Sequence, residues 1–95
     1  MEKRLWYVFG GSSGGELRAK LVRALAEQPR NANQLSDAFD VDYNTIRYHL
    51  DILVDNDIVE RGEESYGTLY FLTDDFEAHR DRFDAILSKM DYSVE

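Results

Sequence analysis

The chain has 95 residues, of which 43% are hydrophobic and 32% charged, and its formal net charge is -8. That size suits one small domain with a single core, and the composition is that of a folded chain rather than a disordered one. The sequence has no cysteine, which excludes disulfides, cysteine-ligated zinc, iron–sulfur clusters and thiol chemistry.

The longest apolar run is Leu5–Phe9, "LWYVF". It is far below the roughly 20 residues that span a bilayer, and no signal-peptide pattern surrounds it. A cytoplasmic chain with no membrane partner is expected. Aromatic and β-branched density makes the run a short strand or a buried arm. "GGSSGG", Gly10–Gly15, comes next. Gly10 and Gly15 have the spacing of a phosphate-cradling loop, but Glu16 stands where that loop needs lysine. A hinge is expected, closing an arm-and-hinge segment over residues 1–15.

A first full helix is expected from Glu16 to Gln28. Leu17, Leu21 and Leu25 with Val22 make one apolar stripe, and Pro29 ends it. Arg18, Lys20, Arg23 and Arg30 should leave the other surface basic. The next helix is short, Asn33–Phe39, with Asn33 as N-cap and Leu35, Ala38 and Phe39 buried. Asp40–Asp42 makes a turn: Asp40 takes the left-handed conformation, Val41 plugs the space between helices, and Asp42 caps the third helix.

That helix, Tyr43–Asp55, turns Ile46, Leu50 and Leu53 inward and leaves Asn44, Thr45, Arg47, Tyr48 and Asp51 at or near its outer surface. Asn56 or Asp57 ends it in the left-handed conformation. Ile58–Arg61 and Tyr66–Leu72 are strands about a turn at Gly62–Ser65. A last helix should start at Asp74, with Glu77 completing an aspartate capping box, and run to about Met90. Phe76, His79, Phe83, Ile86 and Met90 are spaced 3, 4, 3, 4, with Leu87 beside them, which is a seam that needs a partner surface.

The fold class is therefore mainly α with a small β-hairpin. Residues 16–73 form the central unit and residues 74–95 a C-terminal helix for dimerisation. This order resembles a winged helix-turn-helix domain, similar to the ArsR-like group of prokaryotic repressors and nearest to its archaeal members. The resemblance is carried by residues 33–59, "NQLSDAFDVDYNTIRYHLDILVDNDIV", and by residues 66–73, "YGTLYFLT". The group's T-V-x-x-H-L-x-x-L core stands here as Thr45, Ile46, His49, Leu50 and Leu53.

The resemblance implies a homodimeric transcription regulator whose helix 43–55 enters the major groove of double-stranded DNA. Tyr43, Asn44, Thr45, Arg47 and Tyr48 would form the reading edge, since arginine pairs with guanine and asparagine with adenine. Arg18, Arg23, Arg30 and Arg61 are candidate phosphate anchors. Trp6, Tyr7 and Phe9 of the arm, with Phe76, His79, Phe83, Ile86, Leu87 and Met90, would form the dimer contact. His79 there would make self-association depend on pH. His49 is expected to be structural. No catalytic constellation stands out from the scattered carboxylates, and neither enzyme activity nor a cofactor or metal is expected.

Three features depart from the group. It often senses metals through cysteines, which are absent here. Asp51 replaces a lysine common in that helix. The wing tip is Glu63, Glu64 and Ser65 where many members are basic. An alternative is a winged-helix module that has lost DNA binding and meets a protein partner. The charge is also uneven: residues 1–50 carry seven basic and six acidic side chains, and residues 51–95 carry four and 13. Most acidity thus lies beyond the reading helix. With 19 acidic residues and only Lys3, Lys20 and Lys89 as lysines, the composition resembles that of proteins from salt-loving archaea, and salt adaptation is expected. At molar salt the Debye length is about 3 Å, so remote carboxylates are nearly silent.

Overall fold

The computed structural model describes residues 1–11, 13–63 and 68–92. In chain order these form α1 (Glu2–Leu5), a π-helical turn (Trp6–Gly10), α2 (Gly15–Glu27), β1 (Arg30–Asn31), α3 (Ala32–Phe39) and α4 (Tyr43–Asp55). Then come β2 (Val59–Arg61), β3 (Leu69–Leu72), α5 (Asp74–Ala78) and α6 (Arg80–Met90). None of the described helices is long and apolar enough to cross a membrane.

The N-terminal arm is helical, not a strand. Leu5, Val8 and Phe9 are all fully buried, and their i, i+3, i+4 spacing is helical. That period prevails over the β-propensity of the individual residues. The π turn closes with the Gly11 amide donating to the Trp6 carbonyl at 2.7 Å.

Within α2, Leu21, Val22 and Leu25 of the expected stripe are buried, while Leu17 is half-buried. Gln28 then swings to φ -167°, ψ 153° ahead of Pro29. The chain next makes a short strand absent from the expected elements. β1 pairs antiparallel with β3, Arg30 opposite Tyr70 and Asn31 opposite Leu69, so the sheet has three strands in the order β1-β3-β2. This pairing moves the start of α3 forward. Asn31, not Asn33, is the N-cap, and it forms a reciprocal capping box with Gln34 (2.8 and 2.9 Å). Ala38 is exposed, whereas Leu35 is buried.

The turn between α3 and α4 forms as expected. Asp40 is left-handed (φ 53°), and the Ser36 hydroxyl donates to the Val41 carbonyl at 2.6 Å. The Asp42 carboxylate accepts from the amides of Asn44 and Thr45. Asp57 is the left-handed residue after α4 (φ 60°). The expected residues Glu64–Gly67 of the hairpin lie outside the described ones.

Thr73, not Asp74, caps α5: its hydroxyl accepts from the Phe76 amide (3.0 Å) and donates to the Asp57 carbonyl (2.6 Å). One threonine therefore ties the end of the sheet to the end of α4. The expected single C-terminal helix is also interrupted at His79 (φ -114°), whose ring Nδ1 lies 2.9 Å from the Asp75 carbonyl.

The largest difference concerns the terminal segments. Phe76, Phe83, Ile86 and Leu87 are buried within this chain, as is Phe9 of the arm. The Phe83 ring packs edge-on against Phe9 (4.8 Å between centroids) and Phe76 (5.2 Å). The seam read as a dimer face is thus filled by the N-terminal helix of the same chain. Leu5, Val8 and Phe9, with Phe76, Phe83, Ile86 and Leu87, complete the core that α2, α3 and α4 begin.

Candidate nucleic-acid interface

α4 carries two faces of different character. Ile46, His49, Leu50 and Leu53 point into the core. Asn44, Thr45, Tyr43 (39% exposed) and Tyr48 (62% exposed) face outward, with Arg47 half-buried beside them. The Asp42 cap holds the first turn of α4 in place, and the buried leucines fix its rotation about its own axis. All five residues expected at the reading edge are therefore presented together on one rigid helix.

Four of them form two adjacent stripes, the members of each one helical turn apart. Tyr43 and Arg47 form the first: Arg47 Nη1 donates to the Tyr43 hydroxyl (3.1 Å), and the guanidinium lies 5.9 Å from the ring centroid. The hydrogen bond to Tyr43 raises the Arg47 pKa above its ordinary value. Asn44 and Tyr48 form the second stripe, with the Tyr48 ring edge-on to His49.

The Tyr43–Arg47 stripe opens onto a groove of about 620 Å³. Its far walls are the N-terminal turn of α3 (Asn31, Ala32, Asn33) and the sheet (Arg61, Gly62, Glu63, Thr68, Tyr70). Two cations, Arg47 and Arg61, thus share one concavity between α4 and the sheet, with Asn33 on the third side. Asn31, Asn33, Thr68 and Tyr70 were not among the residues expected here. Asn31 and Gln34 spell a capping box in the sequence, and that signal would have placed the start of α3 at Ala32.

The expected phosphate anchors fare unequally. Arg61 lines the groove and pairs with Asp51 (3.1 Å). Asp51 therefore faces the wing, and the charge it sets at the groove is matched by Arg61. Arg30 is mostly covered and pairs with Glu27 (3.1 Å) at the edge of the sheet. Arg23 faces away, towards Asp84 on α6 (3.5 Å), with its guanidinium 5.9 Å from the Phe83 ring centroid. Arg18 is only 2% exposed and cannot reach a phosphate in this conformation. Its expected place on a basic surface followed its charge, whereas its spacing to Leu21, Val22 and Leu25 sets it on the buried face of α2.

Of the residues expected at a dimer contact, Tyr7 is 60% exposed, and Trp6, His79 and Met90 are half-buried. Trp6 and Lys89 stack at 5.7 Å across the junction of the N-terminal helix and α6. Among the described residues, no three His, Cys, Asp or Glu side chains are grouped to hold a metal ion.

Residues 16–62 match the family described as a helix-turn-helix domain. That span runs from the start of α2 to the first residue after β2. No curated protein matches the sequence significantly. Several solved structures share the fold. One is the homodimeric winged helix-turn-helix DNA-binding domain of a possible ArsR-family transcriptional regulator from Mycobacterium bovis. It aligns with a TM-score of 0.73 and 17% identity over 92% of this chain and 77% of its own. The transcriptional repressor BigR from Xylella fastidiosa aligns at 0.71 with 21% identity, over 90% and 79%. The transcriptional regulator BldR from Sulfolobus solfataricus aligns at 0.70 with 18% identity, over 93% and 66%. The chain has the winged helix-turn-helix fold.

Proposed function

We propose that the chain is a sequence-specific DNA-binding transcription regulator that reads the major groove with α4. The observation that carries this is the outward set Tyr43, Asn44, Thr45, Arg47 and Tyr48 on a capped, core-locked helix whose flank opens onto a groove holding Arg47 and Arg61. Side chains such as these read base edges, and the groove cations and the α3 turn position the phosphate backbone. The helix-turn-helix match over residues 16–62 and the regulators that share the fold support the same reading. An enzyme role has no comparable support.

The protein acts as a homodimer on a palindromic site, as the homodimeric Mycobacterium bovis domain suggests. The available contact surface is smaller than the sequence implied: Trp6, Tyr7, His79 and Met90 remain accessible, while Phe9, Phe76, Phe83, Ile86 and Leu87 serve the chain's own core. The competing protein-interaction role drew on Asp51 and the acidic wing. Asp51 is paired to Arg61, which removes the first of these.

The acidic surface fits a protein that works in concentrated salt, where counterion release adds little and base contacts and shape decide affinity. Thermal stabilisation by molar KCl is expected, and its absence overturns salt adaptation. Selection from random double-stranded DNA, run at low and at molar KCl, tests the function itself. An enriched palindrome that is lost with Arg47→Ala supports DNA reading. No enrichment at any salt concentration refutes it.

A further inference from the structure

The most unusual group in the core is the Arg18 guanidinium, 2% exposed on the first turn of α2. Among the described residues, three separate segments supply partners to it. Nε donates to the Val8 carbonyl of the π turn (2.9 Å), and Nη2 donates to the Ser13 carbonyl of the glycine-rich loop (3.2 Å). Nη1 lies 3.0 Å from Nδ1 of His49 in α4. This one side chain thus binds the N-terminal helix, the loop and the reading helix to each other.

We propose that Arg18 and His49 form a proton-sensitive latch that positions the reading helix on the N-terminal helix, so that DNA reading requires a neutral His49. The proposal rests on the DNA-reading function above. A guanidinium has donors only and keeps its proton in proteins. Nδ1 of His49 must therefore offer its lone pair, which places the ring proton on Nε2. A second proton would turn N–H against N–H and set two positive charges 3.0 Å apart inside the core.

The ring has little room to retreat. Gly14 closes over it in the left-handed conformation (φ 87°), where a Cβ would come within 2.6 Å of His49 Cε1 and 3.1 Å of Arg18 Nη1. Gly14 and Ser13 thus cover the latch. The titratable groups around the pair are Tyr48 from α4, and Tyr7 and Tyr92, which bear on Arg18. Phenols are uncharged at neutral pH and leave the Arg18 charge in place.

Burial, and then the Arg18 charge, push the His49 pKa below its ordinary 6.5. The unfolded chain therefore binds the proton more readily than the folded one. The latch's contribution is complete above pH 6.5 and is lost as pH falls through the lowered folded value. Simple electrostatics predict the opposite for DNA: acid adds positive charge, which strengthens binding to phosphates. Acid-weakened DNA binding is therefore a signature of a positioning role.

The test uses the whole chain, with His49→Asn and His79→Gln as variants. The asparagine Oδ1 stands near the position of Nδ1 and accepts from Arg18 at every pH. NMR of the free protein should show the Nε2–H tautomer at His49 and a titration midpoint below 6.5. An Nδ1–H tautomer, or a midpoint at or above 6.5, overturns the latch. Between about pH 7.5 and a pH below the midpoint that NMR gives, wild type and His79→Gln should lose thermal stability and several-fold in affinity for the selected DNA, while His49→Asn loses neither. DNA that is bound equally well at both pH values overturns the latch and leaves the DNA-reading function standing. Failure to bind DNA at any pH overturns that function and the latch's role in it, and the imidazole titration still decides whether the latch exists. If His49→Asn does not fold, the wild-type tautomer and midpoint decide alone.

Discussion

Replacing Phe83 with alanine should destabilise the folded monomer, and not merely its self-association. The ring has no exposed surface and sits between Phe9 and Phe76, with the Arg23 guanidinium above it. Truncation removes a full aromatic side chain from a closed core and leaves a cavity, at a cost of about 3–5 kcal/mol. Against a total stability of about 5–15 kcal/mol for a domain, that is a severe loss. At roughly 4–8 °C per kcal/mol for a chain of this size, Tm should fall by roughly 12 °C or more. Urea and thermal unfolding followed by circular dichroism, at two widely separated protein concentrations, measures it. The destabilisation should be present at both. A loss below about 1 kcal/mol, with only the oligomeric state changed, would show that α6 is an appendage awaiting a partner.

Three other substitutions probe separate parts of the structure. Gly14→Ala forces a side chain into a left-handed residue and against His49, and should cost about 1–3 kcal/mol in urea unfolding; a neutral result contradicts the closed loop. Asp42→Ala leaves the amides of Asn44 and Thr45 without their acceptor, so about 1 kcal/mol of stability should be lost and DNA affinity should drop with it. Asp51→Asn removes the partner of Arg61, an exposed pair worth less than about 1 kcal/mol. Its effect should instead appear in the salt dependence of DNA affinity, the log–log slope steepening by about one as Arg61 turns to a phosphate; an unchanged slope refutes the restraint of Arg61 by Asp51.

The helix-turn-helix itself was legible because each of its signals is local. Asp40, Val41 and Asp42 specify the turn and the cap, and the Ile46, Leu50, Leu53 spacing orients α4, whose bounds match the expectation residue for residue. The terminal segments were less so, because their meaning depends on distant partners. Phe76, Phe83 and Ile86 form the same heptad-like seam whether they face a second copy or the chain's own arm. Only the folded path shows Phe9 against Phe83. Arg18 was misplaced for a different reason: its charge suggested solvent, although it stands three, four and seven residues before Leu21, Val22 and Leu25 on the buried face, where the Val8 and Ser13 carbonyls and His49 enclose it. A two-residue strand such as β1 has no periodicity to detect and exists only through its pairing with β3.

The claim that α4 reads bases while the groove cations grip the backbone is tested most directly by a comparison of two arginines. Affinity for a selected operator and for a version altered at one base pair should be measured for wild type, Arg47→Ala and Arg61→Ala at fixed salt. Arg47→Ala should lose about 1–3 kcal/mol on the operator and erase the discrimination at one position. Arg61→Ala should weaken both DNAs alike and keep the discrimination. If Arg47→Ala leaves the ratio between the two DNAs unchanged at every base pair altered, α4 is not the reading helix.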